Sequence, residues 1–124
     1  MKSYFELDAW KESKNLTISI YNLTASFPNN EIFGIVSQMR RAALSVPSNI
    51  AEGIGRQTKK DTVHFLYISK GSLNELETQV IISCELGFLI EEQQAQLLAQ
   101  IVKCKQLISG LIKHYKTLEQ KRES

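Results

Sequence analysis

A chain of 124 residues with 43% hydrophobic and 23% charged side chains can build one domain with a sizeable core, which excludes a disordered tail or a two-domain protein. A formal net charge of +2 is too small to name a partner, and two cysteines are too few for a disulfide framework. No apolar run approaches the roughly 20 residues that cross a bilayer, and Met1-Lys2-Ser3-Tyr4-Phe5-Glu6 has no apolar leader core, so a cytoplasmic protein without a membrane partner is expected.

The first predicted helix runs from about Leu7 to Ser26. Asp8 puts negative charge in its first turn, where the helix dipole favours it. Ala9, Ser13, Leu16, Ile20, Leu23 and Phe27 recur along one face, with Trp10, Ile18 and Tyr21 beside that stripe. Phe27-Pro28-Asn29-Asn30 reads as a turn. Glu31 then opens a second helix, which continues to about Gly53 along Val36, Met39, Ala43, Val46, Ile50 and Ile54 and is closed by Gly53 and Gly55. Pro47 lies inside it. There it removes an amide donor and crowds the carbonyl of Ala43, a cost of about 3 kcal/mol unless a kink absorbs it. A kinked helix is therefore predicted, with Asn49 satisfying the backbone that Pro47 frees.

Thr58-Lys59-Lys60-Asp61 has capping-box spacing, with Asp where Glu is commoner, and starts a third helix over Lys59 to Leu86. Its stripe is Thr62, Phe65, Leu66, Ser69, Ser72, Leu73, Leu76, Val80, Ser83 and Cys84. The small residues Ser69, Gly71 and Ser72 are expected to let a neighbouring helix come close. Gly87 is the natural cap. A fourth helix runs from Glu91 to Lys121, apolar along Leu97, Leu98, Ile101, Cys104, Ile108, Leu111, Ile112, Tyr115 and Leu118. Glu91 and Glu92 at its start, and Lys116, Lys121 and Arg122 near its end, suit the dipole. Ile90, at its entrance, is not an N-cap residue, and only packing accounts for it. Helices of this length with short connections predict an all-α, antiparallel up-down-up-down four-helix bundle over residues 1–124, with Cys84 and Cys104 reduced and buried.

Chemistry is hard to assemble from these residues. Carboxylate di-iron bundles need Glu-x-x-His motifs on two helices, but His114 follows Leu111 by three residues and His64 follows Asp61, which belongs to a cap. The two cysteines lack zinc spacing. No serine occupies a Gly-x-Ser-x-Gly turn, and Glu75 and Glu77, two apart on a helix, diverge. Gly53-Ile54-Gly55 closes a helix, whereas phosphate cradles open one. No enzyme, metal or cofactor is expected.

Charge is distributed less evenly than the total suggests. Residues 34–70 hold Arg40, Arg41, Arg56, Lys59, Lys60 and Lys70 against Glu52 and Asp61, a net +4 that leaves −2 for the remainder. A structural reading pairs Arg40 or Arg41 with Glu52, Glu75 or Glu77, in a buried polar network that includes Asn49. A functional reading places the six basic residues on nucleic-acid phosphates. Stacking aromatics are not interleaved in this segment, so base reading on a single strand is not expected.

Phe33-Gly34, Gln38-Met39-Arg40-Arg41-Ala42-Ala43 and Val46-Pro47-Ser48-Asn49-Ile50-Ala51-Glu52-Gly53, with Gly55-Arg56, lead to a further group: Phe65-Leu66, Gly71-Ser72, Glu75-Leu76-Glu77 and Leu86-Gly87. Together they resemble the bacterial four-helix-bundle family encoded within intervening sequences of 23S ribosomal RNA genes. The likeness spans all four helices, the fourth in pattern alone. It implies a left-handed up-down-up-down bundle that assembles as a homo-oligomer, typically a five-membered ring. A relative, the accessory variability protein of diversity-generating retroelements, binds a reverse transcriptase and nucleic acid; no catalytic activity attaches to the family. The motif residues carried over are Arg40, Arg41, Pro47, Asn49, Glu52, Gly53, Arg56, Glu75 and Glu77, while Ser69 stands where Ala is common. The expected function is a non-enzymatic oligomeric interaction protein that binds RNA or DNA through a basic face. The alternative is a scaffold for a protein partner, such as a reverse transcriptase, without nucleic-acid contact.

Overall fold

The computed structural model describes residues 3–123, with side chains through residue 121. Met1 and Lys2 of the leader reading and the side chain of Arg122 lie outside the described residues. The apolar stripes become α1 (Asp8–Thr24), α2 (Ile35–Ile54), α3 (Lys59–Glu85) and α4 (Glu91–Glu123), with single 3-10 turns at Tyr4–Glu6 and Asn29–Glu31. Among the described residues there is no strand. α2 begins later than Glu31 because Asn29–Glu31 forms its own tight turn and Gly34, at φ −106° and ψ −118°, is not helical.

Each helix packs on two neighbours, in the cyclic order α1, α2, α3, α4. Cross-helix pairs give the directions. Thr17 meets Ala43 and Thr24 meets Arg40; Met39 meets Ser83 and Gly53 meets Thr62. Tyr67 meets Lys116 and Glu77 meets Lys105, while Ser19 meets Gln100 and Glu12 meets Lys103. Rising numbers on one helix meet falling numbers on the next in every pair, so neighbours run antiparallel. The core is continuous through Leu16, Ile20, Met39, Val46, Ile50, Leu66, Leu73, Leu76, Leu97, Ile101 and Ile108, all fully buried. Burial of side chains of this size, worth about 1.5–3 kcal/mol each, drives the association.

Pro47 is buried, and α2 runs through it as one helix. The carbonyl it leaves without a helical donor, that of Ala43, accepts a bond from the Thr17 hydroxyl of α1 at 3.0 Å; the same hydroxyl lies 2.9 Å from the Ser13 carbonyl. Asn49 does not fill that role. Its amide donates to the Ser45 carbonyl at 2.8 Å and to Ser45 Oγ at 2.9 Å, because at i+4 it reaches back along its own helix. Ser45 Oγ in turn lies 2.9 Å from Ser72 Oγ, and Ser69 Oγ donates to the Val46 carbonyl at 2.9 Å. Ser69 and Ser72 thus lie at the α2–α3 contact as expected, but Gly71 is exposed with nothing near its Cβ position. The glycine that is packed tightly is Gly53, where a Cβ would meet Phe65 Cβ at 2.8 Å.

The helix ends follow the sequence. Thr58 accepts from the Asp61 amide at 3.1 Å. Gly87, at φ +82°, takes the left-handed conformation that ends α3, with Phe88 N–H on the Ser83 carbonyl and Gly87 N–H on the Cys84 carbonyl. Ile90 needs no cap of its own: its amide donates to Gln93 Oε1 at 3.1 Å, which is the returning half of a capping box.

Candidate nucleic-acid interface

The six basic residues of the central segment do not form one patch. Arg40 is committed to construction. Its Nε donates to Thr24 Oγ1 at 3.0 Å, its Nη2 to the Tyr21 carbonyl at 3.3 Å, and its guanidinium lies 4.7 Å from the Tyr21 ring centroid. This holds a cation at the C-terminal end of α1, where the dipole is negative. Arg41 is exposed beside it, in a shallow apolar groove with Ile32, Phe33 and Leu44. Arg56, Lys59 and Lys60 lie at the far end of α2, about 20 Å along the helix axis at 1.5 Å per residue. Arg56 bridges to Glu52 at 2.8 Å and covers the Phe65 ring, and Lys59 lies 5.3 Å from the Tyr115 ring centroid. Burial raises the Tyr115 hydroxyl above its ordinary pKa.

Lys70 belongs to a third place. Between the outer faces of α3 and α4 runs a groove of about 400 Å³, in which Lys70 is joined by Lys113 and Lys116. Tyr67 and Ile112 supply its apolar surface, and Ser109, Thr117 and Gln120 the remaining polar groups. Among the described residues no carboxylate lines it. Lys113 and Lys116, three apart on one helix, share a face, and the register set by the Tyr67–Lys116 pair brings Lys70 across from them. Lys116 donates to the Tyr67 hydroxyl at 2.7 Å; among the described residues, none of the three lysines forms an ion pair. Farther along the same seam the charge is cancelled, with Lys105 on Glu77 at 3.2 Å.

Two corrections to the sequence reading follow. The polar residues Asn49, Glu52, Glu75 and Glu77 do not make one buried network with Arg40 or Arg41. Asn49 bonds Ser45, Glu52 bonds Arg56, Glu75 accepts from Gln79 at 3.3 Å, and Glu77 holds Lys105. Glu52 and Glu75 are exposed, because their positions on α2 and α3 face away from the core. The expectation that no stacking aromatic is interleaved in residues 34–70 also fails, because Tyr67, three residues before Lys70, lines the basic groove. Tyr67 is separated from Lys113 and Lys116 by more than a whole helix of chain, and only the α3–α4 register puts them together.

Among the described residues no three His, Cys, Asp or Glu side chains converge as a metal-binding group, and no helix is long and apolar enough to cross a membrane. Cys104 is buried in the core, and that burial pushes its thiol up to about 11, against a weaker opposing bond from Ser13.

These features define a four-helix bundle with structural hydrogen bonds between its helices and a cluster of three lysines in an external groove. A family model described as 23S rRNA-intervening sequence protein matches residues 5–110, and the chain belongs to that family. A crystal structure from Bacteroides thetaiotaomicron VPI-5482, described as a protein with unknown function from the S23 ribosomal protein family, shares the fold. Its TM-score is 0.79 at 23% identity, over 85% of this chain and 98% of that one. No curated protein matches. Lys113 and Lys116 lie beyond the matched residues, so the groove is argued from this chain alone.

Proposed function

We propose that this protein is a non-catalytic, self-associating helical bundle that binds the phosphate backbone of RNA or DNA. The observation that carries the reading is the α3–α4 groove: Lys70, Lys113 and Lys116 stand together with no carboxylate among the described lining residues. Neighbouring like charges repel, and a polyanion relieves that repulsion while releasing its own counterions. Lys60 continues the basic surface at the start of α3, whereas Arg40, Arg56 and Lys59 already have partners within the chain.

The test is a salt titration of labelled RNA and DNA binding. Affinity should fall steeply, with a log–log slope of about −0.9 per duplex phosphate neutralised, or about −0.7 on single strands. Lys113→Glu with Lys116→Glu should abolish binding while circular dichroism is unchanged. No binding by the wild-type protein at low salt would overturn the reading and leave a protein scaffold in its place.

Self-association has its own observation. Ile18, Tyr21, Ile32, Phe33 and Leu44 are exposed on the α1–α2 side, Phe33 at 95%, and clustered exposed apolar residues usually mark a contact with another protein surface. The family resemblance implies a closed ring of five copies; light scattering that returns a monomeric mass at micromolar concentration would overturn self-association.

A further inference from the structure

We propose that the α3–α4 groove holds a single strand rather than a duplex, with one base stacked on the ring of Tyr67 and flanking phosphates on Lys70, Lys113 and Lys116. The inference rests on the nucleic-acid reading above and specifies its ligand. Three observations carry it. Tyr67 is 46% exposed, yet it lines the same groove as the three lysines. The Lys116 ammonium sits at the hydroxyl end of this ring, 2.7 Å from the oxygen against 5.0 Å from the centroid, so it does not cap the face a base would use. The other aromatics beside basic residues are already engaged: Tyr21 under Arg40, Phe65 under Arg56 and Tyr115 near Lys59.

Geometry decides between strand types. A groove between two packed helices, whose axes lie about 8–10 Å apart, is too narrow to admit a duplex. A duplex could lay phosphates across the lysines, but its bases are stacked on each other and offer no free face to Tyr67. An unpaired base does offer one, and stacking on an aromatic side chain is sequence-tolerant because every base has a π-face. Ile112 beneath the groove excludes water from the edge of such a base, and the Lys116 bond to the hydroxyl holds the ring in place.

The experiment measures anisotropy with labelled oligo-dT, an abasic strand of the same length, and a duplex of the same length. Proteins are the wild type, Tyr67→Phe, Tyr67→Leu and the Lys113→Glu/Lys116→Glu pair. Wild type should bind oligo-dT about ten- to a hundredfold more tightly than the abasic strand, the range expected for loss of base stacking. Tyr67→Leu should lose that preference without losing duplex affinity, and Tyr67→Phe should retain it. The abasic comparison needs no variant, so a Tyr67→Leu protein that fails to fold does not rescue the idea. Equal wild-type affinity for abasic and oligo-dT strands, or a Tyr67→Leu loss identical for duplex and single strand, overturns the stacking inference. If salt-sensitive binding is still abolished by the lysine pair, the backbone-binding function stands without it. If the wild type binds no strand at low salt, both fall.

Discussion

The α1–α2–α3 seam and the α3–α4 groove are both rich in polar side chains, and they differ in one respect. Along the seam the polar groups that join the helices have partners within the chain: Thr17 on Ala43, Ser69 on Val46, Ser45 on Ser72 and Asn49, Arg40 on Thr24 and Tyr21; Gln79 Oε1 on α3 is buried without one. In the groove, Lys70 and Lys113 have none among the described residues, and Lys116 has a tyrosine hydroxyl. Buried polar atoms cost free energy when unpaired, so a seam of this kind is construction. Exposed ammonium groups cost little unpaired but repel one another, so a cluster of them is capacity for an anion. The motif that dominates the sequence therefore builds the bundle, and the surface suited to a ligand lies elsewhere.

The groove variants described above carry the largest expected effect, loss of binding without loss of fold. The seam should show the converse. Thr17→Val removes the side-chain donor to the Ala43 carbonyl, and the cost of a buried acceptor left unpaired is about 1–3 kcal/mol. Pro47→Ala returns an N–H to that same carbonyl. In the Pro47→Ala background Thr17→Val should then cost much less, and chemical denaturation of the four proteins reads the coupling. Additive effects would show that the threonine and the proline are independent and that the seam is not one unit. Neither change should alter affinity for labelled strands.

How far the sequence reached can be judged from particular residues. The bounds of α3 and α4, the Thr58 cap and the Gly87 turn were all legible, because they depend on periodicity and on chemistry within one helical turn. The stripe of α1 was legible as well, through Ala9, Leu16, Ile20 and Phe27. The partner of Ala43 was not. It is a hydroxyl on another helix, and nothing near Pro47 names it. Tyr67, Lys113 and Lys116 were invisible as a group for the same reason, since charge counted in a window along the chain cannot see a register between two antiparallel helices.

Arg40 gives a smaller effect and sharpens the boundary between the two regions. It was an expected phosphate contact, but its guanidinium is spent on Thr24, the Tyr21 carbonyl and the Tyr21 ring. Arg40→Gln should cost about 1 kcal/mol in thermal or urea unfolding, through the lost hydrogen bonds and the lost cation at the end of α1. The salt slope of nucleic-acid binding should not change. A slope shallower by nearly one phosphate would return Arg40 to the interface and merge what the structure separates.

The two cysteines give the smallest effect and test the core side of the comparison alone. Cys104 is fully buried with its thiol raised to about 11, chiefly by burial, whereas Cys84 is only half-buried. A disulfide reagent at pH 8 should label the partly exposed Cys84 in the native protein and reach Cys104, buried and held as the unreactive thiol, only on unfolding. The sign of the linkage is fixed. Between the ordinary thiol pKa of 9.0 and the folded value of about 11, the unfolded chain has released the Cys104 proton that the folded chain still holds. Stability from this group is therefore complete below pH 9 and declines as pH rises toward 11. Cys104→Ala should flatten that decline while lowering stability at pH 7, because a buried side chain is truncated. If native Cys104 reacts as fast as Cys84 at pH 8, α4 opens readily from α1, and the core on that side is not rigid.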